Sequence, residues 1–355
     1  MTEKTLHNFD KNSFQKRLIT WFDENKRELP WRETSDPYKI WISEIMLQQT
    51  KVDTVIDYYN RFIHTYPNVF HLAKADEQAV LKVWEGLGYY SRARNLHTAA
   101  KEVVDEYDGI MPKTTEELGK LKGIGPYTKG AISSIAYGHP EPAVDGNVMR
   151  VLSRVLAIKD NISEQRTRKR FEAIVREIIS QENPSYFNQG LMELGALICT
   201  PTSPGCLHCP VRENCRAFEL GIQTELPIKL KKKKQKQIAY YTFIIRDQSG
   251  NIAIEQRPNE GLLANMWQFP MIEKQRLTID SMEKMIEKNL KMKVTVNRQL
   301  ENITHIFSHI IWDLFVYDIT VHTFLEPSTF QFVKKEALDS YPISVSHLKI
   351  KQYIL

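Results

Sequence analysis

Leu121-Lys122-Gly123-Ile124-Gly125-Pro126-Tyr127-Thr128 is the stretch from which the organisation of this 355-residue chain can be read. Two glycines flank one apolar residue and a proline follows directly. Glycine tolerates positive φ and lets the backbone pass close to a ligand, and proline is favoured at the first position of a helix. Upstream, Thr114 and Glu117 have capping-box spacing for a short helix ending near Leu121. Downstream, Ala131, Ile132, Ile135 and Ala136 recur with helical period. The expected unit is helix, glycine hairpin, helix. Amides bared at the hairpin, Gly123 and Gly125 among them, suit a phosphate oxygen without reading a base.

Beyond it, Pro142-Ala143-Val144-Asp145-Gly146-Asn147 leads into Val148, Val151, Leu152, Val155 and Leu156, an amphipathic helix. Asp145 stands where an N-cap stands, and by itself it is an ordinary cap. Its surroundings decide whether it does more.

The chain exceeds what one core usually serves, so two domains are expected. With 42% hydrophobic and 26% charged residues it is an ordinary globular composition. The polar start, Met1 to Phe14, has no signal-like apolar run, and no stretch reaches membrane-spanning length, so a cytoplasmic protein with no membrane partner is expected. Net charge is +5, yet Lys229 to Lys236 contains six lysines, and without them the rest of the chain stands at −1. Basicity is local, as in a solvated linker, with salt-dependent phosphate attraction secondary.

All four cysteines, Cys199, Cys206, Cys209 and Cys215, lie within seventeen residues. In a reducing compartment such a cluster reads as metal ligands in place of disulfides. The spacing C-x6-C-x2-C-x5-C has a single C-x2-C pair, whereas zinc sites commonly pair two. An iron–sulfur cluster is favoured and zinc stays open.

Toward the N-terminus, Phe14, Leu18, Trp21 and Phe22 form a helix face and Leu29-Pro30-Trp31-Arg32 breaks from it. Pro37 to Leu47 is a second helix, with Trp41, Glu44 and Gln48 on one side and Ile42, Ile45 and Met46 facing elsewhere. Most glutamates are solvated. Glu44, however, sits among Trp41, Ile45, Gln48 and Gln49, which points to a partly desolvated pocket wall. Trp84-Glu85-Gly86-Leu87-Gly88-Tyr89-Tyr90 is a glycine-punctuated loop whose aromatics are candidate wedges beside a phosphate-binding hairpin.

Glu44 to Thr50, Trp84 to Arg92, the hairpin, Val144 to Val148 and the four-cysteine loop occur together and in order, and the chain in this respect resembles the adenine DNA glycosylases of the MutY type. These belong to the helix-hairpin-helix superfamily that includes endonuclease III. The resemblance implies an all-helical catalytic region over residues 1–228, a basic linker over 229–237 and a second domain over 238–355. It implies hydrolysis of adenine from mispairs with 8-oxoguanine or guanine in double-stranded DNA, by a monomer. Glu44 would be the general acid and Asp145 the carboxylate that meets the sugar cation, supported by Tyr127 and Asn147. The four cysteines would hold a [4Fe-4S] cluster. Gln49, Thr50, Leu87 and Tyr89 would touch the strand opposite.

Elementary chemistry asks for the same pair. Adenine leaves deoxyribose poorly unless protonated, and the sugar left behind is a cation. Glu44 should therefore titrate upward and Asp145 stay ionised. The base must first leave the stack, which gives the hairpin and wedge their purpose. Relatives that also cut the backbone carry a Schiff-base lysine in this hairpin, where this chain has Tyr127, with Lys122 and Lys129 out of phase. Hydrolysis without an efficient lyase step is expected. A bifunctional endonuclease III-like glycosylase and AP lyase, and a non-catalytic iron–sulfur DNA-binding protein, are the alternatives.

After Leu226-Pro227 alternation replaces helical period. Tyr241–Ile245 and Asn251–Ile254 read as strands joined at Asp247–Gly250, Leu314–Tyr317 and Ile319–Val321 as two more, and Asp280–Leu290 as a helix. This small α+β domain is similar in outline to the Nudix fold. It lacks that fold's glutamate-rich magnesium-binding helix, so a binding role is expected. The turn Thr304-His305-Ile306-Phe307-Ser308-His309 resembles the family's 8-oxoguanine-reading loop, with Ser308 toward the lesion and Phe307 and His309 beside it.

Overall fold

The computed structural model describes residues 5–230, 235–274, 281–327 and 329–354. The chain divides into two compact units, one of Met1–Lys74 with Asn95–Lys231 and one of Ala75–Arg94 with Lys232–Leu355.

The first unit is helical. It contains α1 (Lys11–Asn25), α2 (Pro37–Leu47), α3 (Val52–Thr65) and α4 (Val69–Lys74). From the far side of the second unit's segment come most of α6 (Ser91–Tyr107), α7 (Thr115–Leu118), α8 (Pro126–Tyr137), α9 (Gly146–Val155), α10 (Gln165–Ile178), α11 (Pro184–Leu197) and the short α12 (Arg216–Glu219). Helix starts follow local chemistry. Asp36 caps α2 with Pro37 at its first position, Asn183 and Pro184 do the same for α11, and Thr114 exchanges hydrogen bonds with Glu117 at α7. That helix ends at Leu118 and turns continue to the hairpin, a little short of the expected Leu121.

The apolar stripe of α9 (Val148, Val151, Leu152, Val155) packs with Phe14 and Leu18 of α1, Phe171, Ile174 and Ile178 of α10, and Leu191 and Leu194 of α11. Cys199, Cys209 and Cys215 lie against this same core. Helix α2 departs from the two-sided pattern expected of it: every residue from Ile40 to Met46 is buried. It is an interior helix, which is why Glu44 is buried and not merely shaded.

The second unit is a mixed sheet. Strands β1 (Lys236–Arg246), β2 (Ile252–Gln256), β3 (Trp267–Gln268), β4 (Met271–Glu273), β5 (Met292–Gln299), β6 (Ile303–Ile306), β7 (Ile310–Phe324) and β8 (Gln331–Val333) run β3-β2-β1-β7-β5 across the main path. Strand β4 pairs with β1, β6 with β7 and β8 with β2, and only β1 and β7 among the named pairs are parallel. Helices α13 (Met282–Leu290) and α14 (Val345–Lys351) complete it, with α5 (Glu77–Val83) from the earlier segment.

Three expectations change here. Leu314–Tyr317 and Ile319–Val321 are parts of one strand, because Asp318, which interrupts the apolar run, is buried and answered by Arg246 at 3.1 Å. Helix α13 starts at Met282 with Ser281 as its cap; Asp280, expected to begin it, lies outside the described residues. Strand β1 starts at Lys236, inside the stretch read as linker, while 231–234 of the lysine run lies outside the described residues.

The segment Ala75–Arg94 is stitched into the sheet. Gln78 accepts from the Trp267 indole at 3.0 Å and donates to Asn265 O at 3.1 Å, Asn265 donates to Glu77 at 2.6 Å, and Glu85 accepts from Ile343 N at 2.7 Å. Among the described residues no helix is long and apolar enough to cross a membrane.

Candidate active site

Glu44 projects from the interior helix α2 and is 5% exposed. The Tyr127 hydroxyl, one residue into α8, donates to its Oε2 at 2.5 Å and lies 3.3 Å from Met192 Sδ. Burial pushes Glu44 up to about 7; the Tyr127 hydrogen bond and the Arg32 charge oppose the shift and Asp145 adds to it.

Asp145 is the N-cap of α9, as its position in the sequence suggested. One oxygen accepts from Val148 N at 2.7 Å and the other from Asn147 Nδ2 at 2.9 Å. Burial raises its pKa as well, opposed by the Val148 and Asn147 hydrogen bonds and by Arg150. The two acids, expected to be pushed apart, are displaced in the same direction, upward, because both are buried; Asp145 differs in the backbone and side-chain amide donors that oppose the shift.

Glu44, Asp145, Tyr127 and Asn147 line one cleft of about 160 Å³, together with Trp31, Arg32, Thr50, Gln189, Met192 and Glu193. Two close backbone approaches build it. A Cβ on Gly130 of α8 would fall 1.9 Å from Pro142 O, and one on Gly195 of α11 would fall 2.7 Å from Asn147 Cβ. The loop carrying Asp145 is thus held between α8 and α11 because neither glycine has a side chain there.

A further part of the cleft lining is assembled only by the fold. Glu193 of α11 is buried and bound by Arg27 (2.8 Å) and Arg32 (2.9 Å). Burial would raise its pKa, but the two guanidiniums hold it at about 2, so it stays a carboxylate. Its partners are more than 160 residues away in sequence, and no local pattern could have joined them.

Thr50 reaches the cleft, while the exposed Gln49 sits beside it at φ +60°, tethered through Gln48, whose side chain donates to Thr128 at 3.1 Å. Gly123 and Gly125 are both exposed at the hairpin. Gly123 has φ +79°, and Gly125 caps α8.

All four cysteines line one cavity, with Val151, Val155, Leu194 and Phe218 among its apolar walls. Among the described residues no three His, Cys, Asp or Glu side chains close on a single metal ion. Arg154 of α9, 1% exposed, ties this loop down. It donates to Cys199 Sγ at 3.2 Å, Thr200 O at 2.7 Å, Pro201 O at 2.9 Å and Leu226 O at 2.9 Å. One turn earlier Arg150 donates to Asn147 Oδ1 (2.9 Å) and Cys199 O (2.8 Å), so the Asp145 loop and the cysteine loop share a partner.

In the second unit the β6–β7 hairpin presents Ser308, whose hydroxyl donates to Tyr89 Oη at 3.3 Å. Both line a cavity with Arg94, Leu262, His305, Phe307 and His309. Of the loop's aromatics only Tyr89 is exposed, at 44%; Trp84, Tyr90 and Leu87 are buried and serve as packing. A wedge from this loop must therefore be Tyr89, with the Arg92 guanidinium 5.4 Å from its ring centroid.

Comparison with known proteins follows the same division. Residues 42–177 match the HhH-GPD superfamily of base excision DNA repair proteins and residues 241–353 match the NUDIX domain. A mouse adenine DNA glycosylase is 35% identical over 373 residues, covering 88% of this chain and 71% of that protein. The chain belongs to the adenine DNA glycosylase family. An Arabidopsis thaliana member is 39% identical over 74% of this chain, which spans about half, 48%, of the plant protein's length. The fold is also similar to a thermostable thymine-DNA glycosylase, with a TM-score of 0.54 and 28% identity, over 59% of this chain and 97% of that one. Family membership accounts for a helical region joined to a Nudix-like domain in one chain.

Proposed function

We propose that this protein hydrolyses the N-glycosidic bond of adenine in duplex DNA, with Glu44 as the acid and Asp145 as the anion that shelters the sugar. The observation that carries this is the shared cleft, in which a buried acid near pKa 7 faces a hydrogen-bonded aspartate. A general acid works best with a pKa near the working pH, and it contributes about 10² to 10⁴ in rate. The developing cation and the placement of an extruded nucleotide must supply the remainder, which is the part given to Asp145 and the cleft walls. Asn147 holds Asp145, Tyr127 holds Glu44, and the Arg27–Glu193–Arg32 group fixes part of the cleft lining.

Among the described residues no lysine lines the cleft. Lys122 is exposed, and Lys129 lies along Gly119. This supports hydrolysis without Schiff-base chemistry. The preferred opposite base would be 8-oxoguanine, with Tyr89 and Ser308 of the second unit as its candidate contacts. Cys199, Cys206, Cys209 and Cys215 fit a [4Fe-4S] cluster, since four thiols around one cavity suit a cage of several irons better than a single ion. When bound, the cluster would fix the loop that Arg150 and Arg154 connect to α9.

The test is single-turnover excision on duplexes with adenine opposite 8-oxoguanine, guanine and thymine, with products separated with and without hot alkali. Strand breaks only after alkali, fastest opposite 8-oxoguanine and lost in Glu44→Gln, are expected. Breakage without alkali, or covalent trapping by borohydride, would overturn the hydrolytic assignment in favour of a lyase.

A further inference from the structure

Tyr127 has one hydroxyl hydrogen and two acceptors in reach, Glu44 Oε2 at 2.5 Å and Met192 Sδ at 3.3 Å. A thioether sulfur accepts weakly and cannot donate, so at any moment the hydrogen serves one of the two. We infer that Met192 is a positioning residue that gives this hydrogen a second resting place, so that Tyr127 follows the protonation state of Glu44. When Glu44 is a carboxylate, Tyr127 donates to Oε2. When Oε2 carries a proton, it donates to the phenol oxygen and the tyrosine hydrogen turns to the Met192 sulfur. Giving that proton to a base leaves the carboxylate, and the tyrosine hydrogen returns to Oε2. No proton is gained or lost by Tyr127 in the cycle, and neither state leaves a buried hydroxyl hydrogen without an acceptor.

The remaining groups facing Glu44 hold their own bonds. Asp145 is occupied by Val148 N and Asn147, while Arg32 and Arg27 are occupied by Glu193. Met192, one residue before Glu193 on α11, supplies the movable acceptor. The sulfur stabilises protonated Glu44 and therefore acts to raise its apparent pKa.

This inference rests on Glu44 being the acid, so its test has an arm independent of catalysis. In the full chain, the Glu44 carboxyl is titrated by infrared difference spectroscopy with isotope-labelled glutamate, using Glu44→Gln as the reference. The pH dependence of single-turnover excision opposite 8-oxoguanine is measured in parallel. Met192→Leu removes the acceptor, and Met192→Gln restores one at similar reach. Leucine should move both the infrared titration and the high-pH fall in rate down by about half a pH unit, the scale of one weak hydrogen bond, and glutamine should reverse the shift. An unchanged titration in Met192→Leu, or glutamine behaving as leucine does, would sink the inference. A shifted titration with an unshifted rate profile would support Met192's part and instead refute Glu44 as the acid.

Discussion

The Tyr127 hydroxyl bonds to Glu44 Oε2 at 2.5 Å, across 83 residues of sequence, and joins the helix that follows the hairpin to the helix that carries the acid. Because this bond favours the anion, Tyr127→Phe should raise the Glu44 pKa further and move the high-pH limb of excision upward, with a lower maximal rate. A downward or absent shift in the single-turnover pH profile would contradict the assigned direction.

Glu44 also makes stability depend on pH. Its folded pKa, about 7, lies above the ordinary 4.5. The unfolded chain therefore releases the proton first, and stability contributed by the buried neutral acid is lost as pH rises from about 4.5 through 7. The loss is roughly 3 kcal/mol at full ionisation. Glu44→Gln, neutral at every pH, should be the more stable protein at pH 8 and near parity at pH 4.5. Thermal melts at the two pH values distinguish this from a uniform effect.

The two hairpin glycines should fail in different assays. Gly123 has φ +79°, and an added Cβ would meet Asn95 Cβ at 2.8 Å, so Gly123→Ala should cost about 1–3 kcal/mol of stability. At Gly125 the backbone is ordinary and a Cβ meets nothing within 4 Å. Gly125→Ala should fold normally and lose affinity for duplex DNA, read by anisotropy at fixed salt. Equal affinity would remove Gly125 from the phosphate contact.

Arg154 spreads one buried guanidinium over the carbonyls of Thr200, Pro201 and Leu226 and the sulfur of Cys199. Arg154→Met should lower stability by several kcal/mol, since each abandoned buried acceptor costs about 1–3 kcal/mol. It should also lower iron content, measured by visible absorbance per chain. Lysine cannot replace the planar fork and should rescue poorly. Full iron content in Arg154→Met would separate this arginine from the cysteine loop.

Ser308 and Tyr89 meet at 3.3 Å on the lesion-facing side proposed for the second unit. Ser308→Ala should cut the preference for 8-oxoguanine over guanine by about 3- to 10-fold, one hydrogen bond's worth. Excision opposite guanine should stay nearly constant. A proportional fall on both substrates would mark a general packing defect.

Much of the site was legible because it is local. Asp145 precedes an amphipathic stripe and caps it, the Gly-Ile-Gly-Pro order marks a hairpin before a helix, and four cysteines stand close in the chain. What stayed hidden was distant or ambiguous. Arg27, Arg32 and Glu193 look like ordinary surface charges until α11 brings them together, and Met192 looks like core filler. Asp318 breaks an apolar run as a strand end does, since its partner Arg246 belongs to a different strand. Trp84, Leu87 and Tyr90 could not be told from the exposed Tyr89, because a glycine-rich loop carries no period to say which side chain turns inward.

The order of residues by itself determined where helices begin, which face of α9 is apolar, which thiols can act together and that alternation takes over after residue 227. These depend on neighbours a few positions apart, whose contacts are set by backbone geometry. Tertiary structure alone decided that Glu44 is desolvated beside Tyr127 and Asp145, and that Ala75–Arg94 packs with the C-terminal sheet. A carboxyl's pKa and a loop's partners depend on which distant surfaces exclude water around them, and that follows only once the helices have closed.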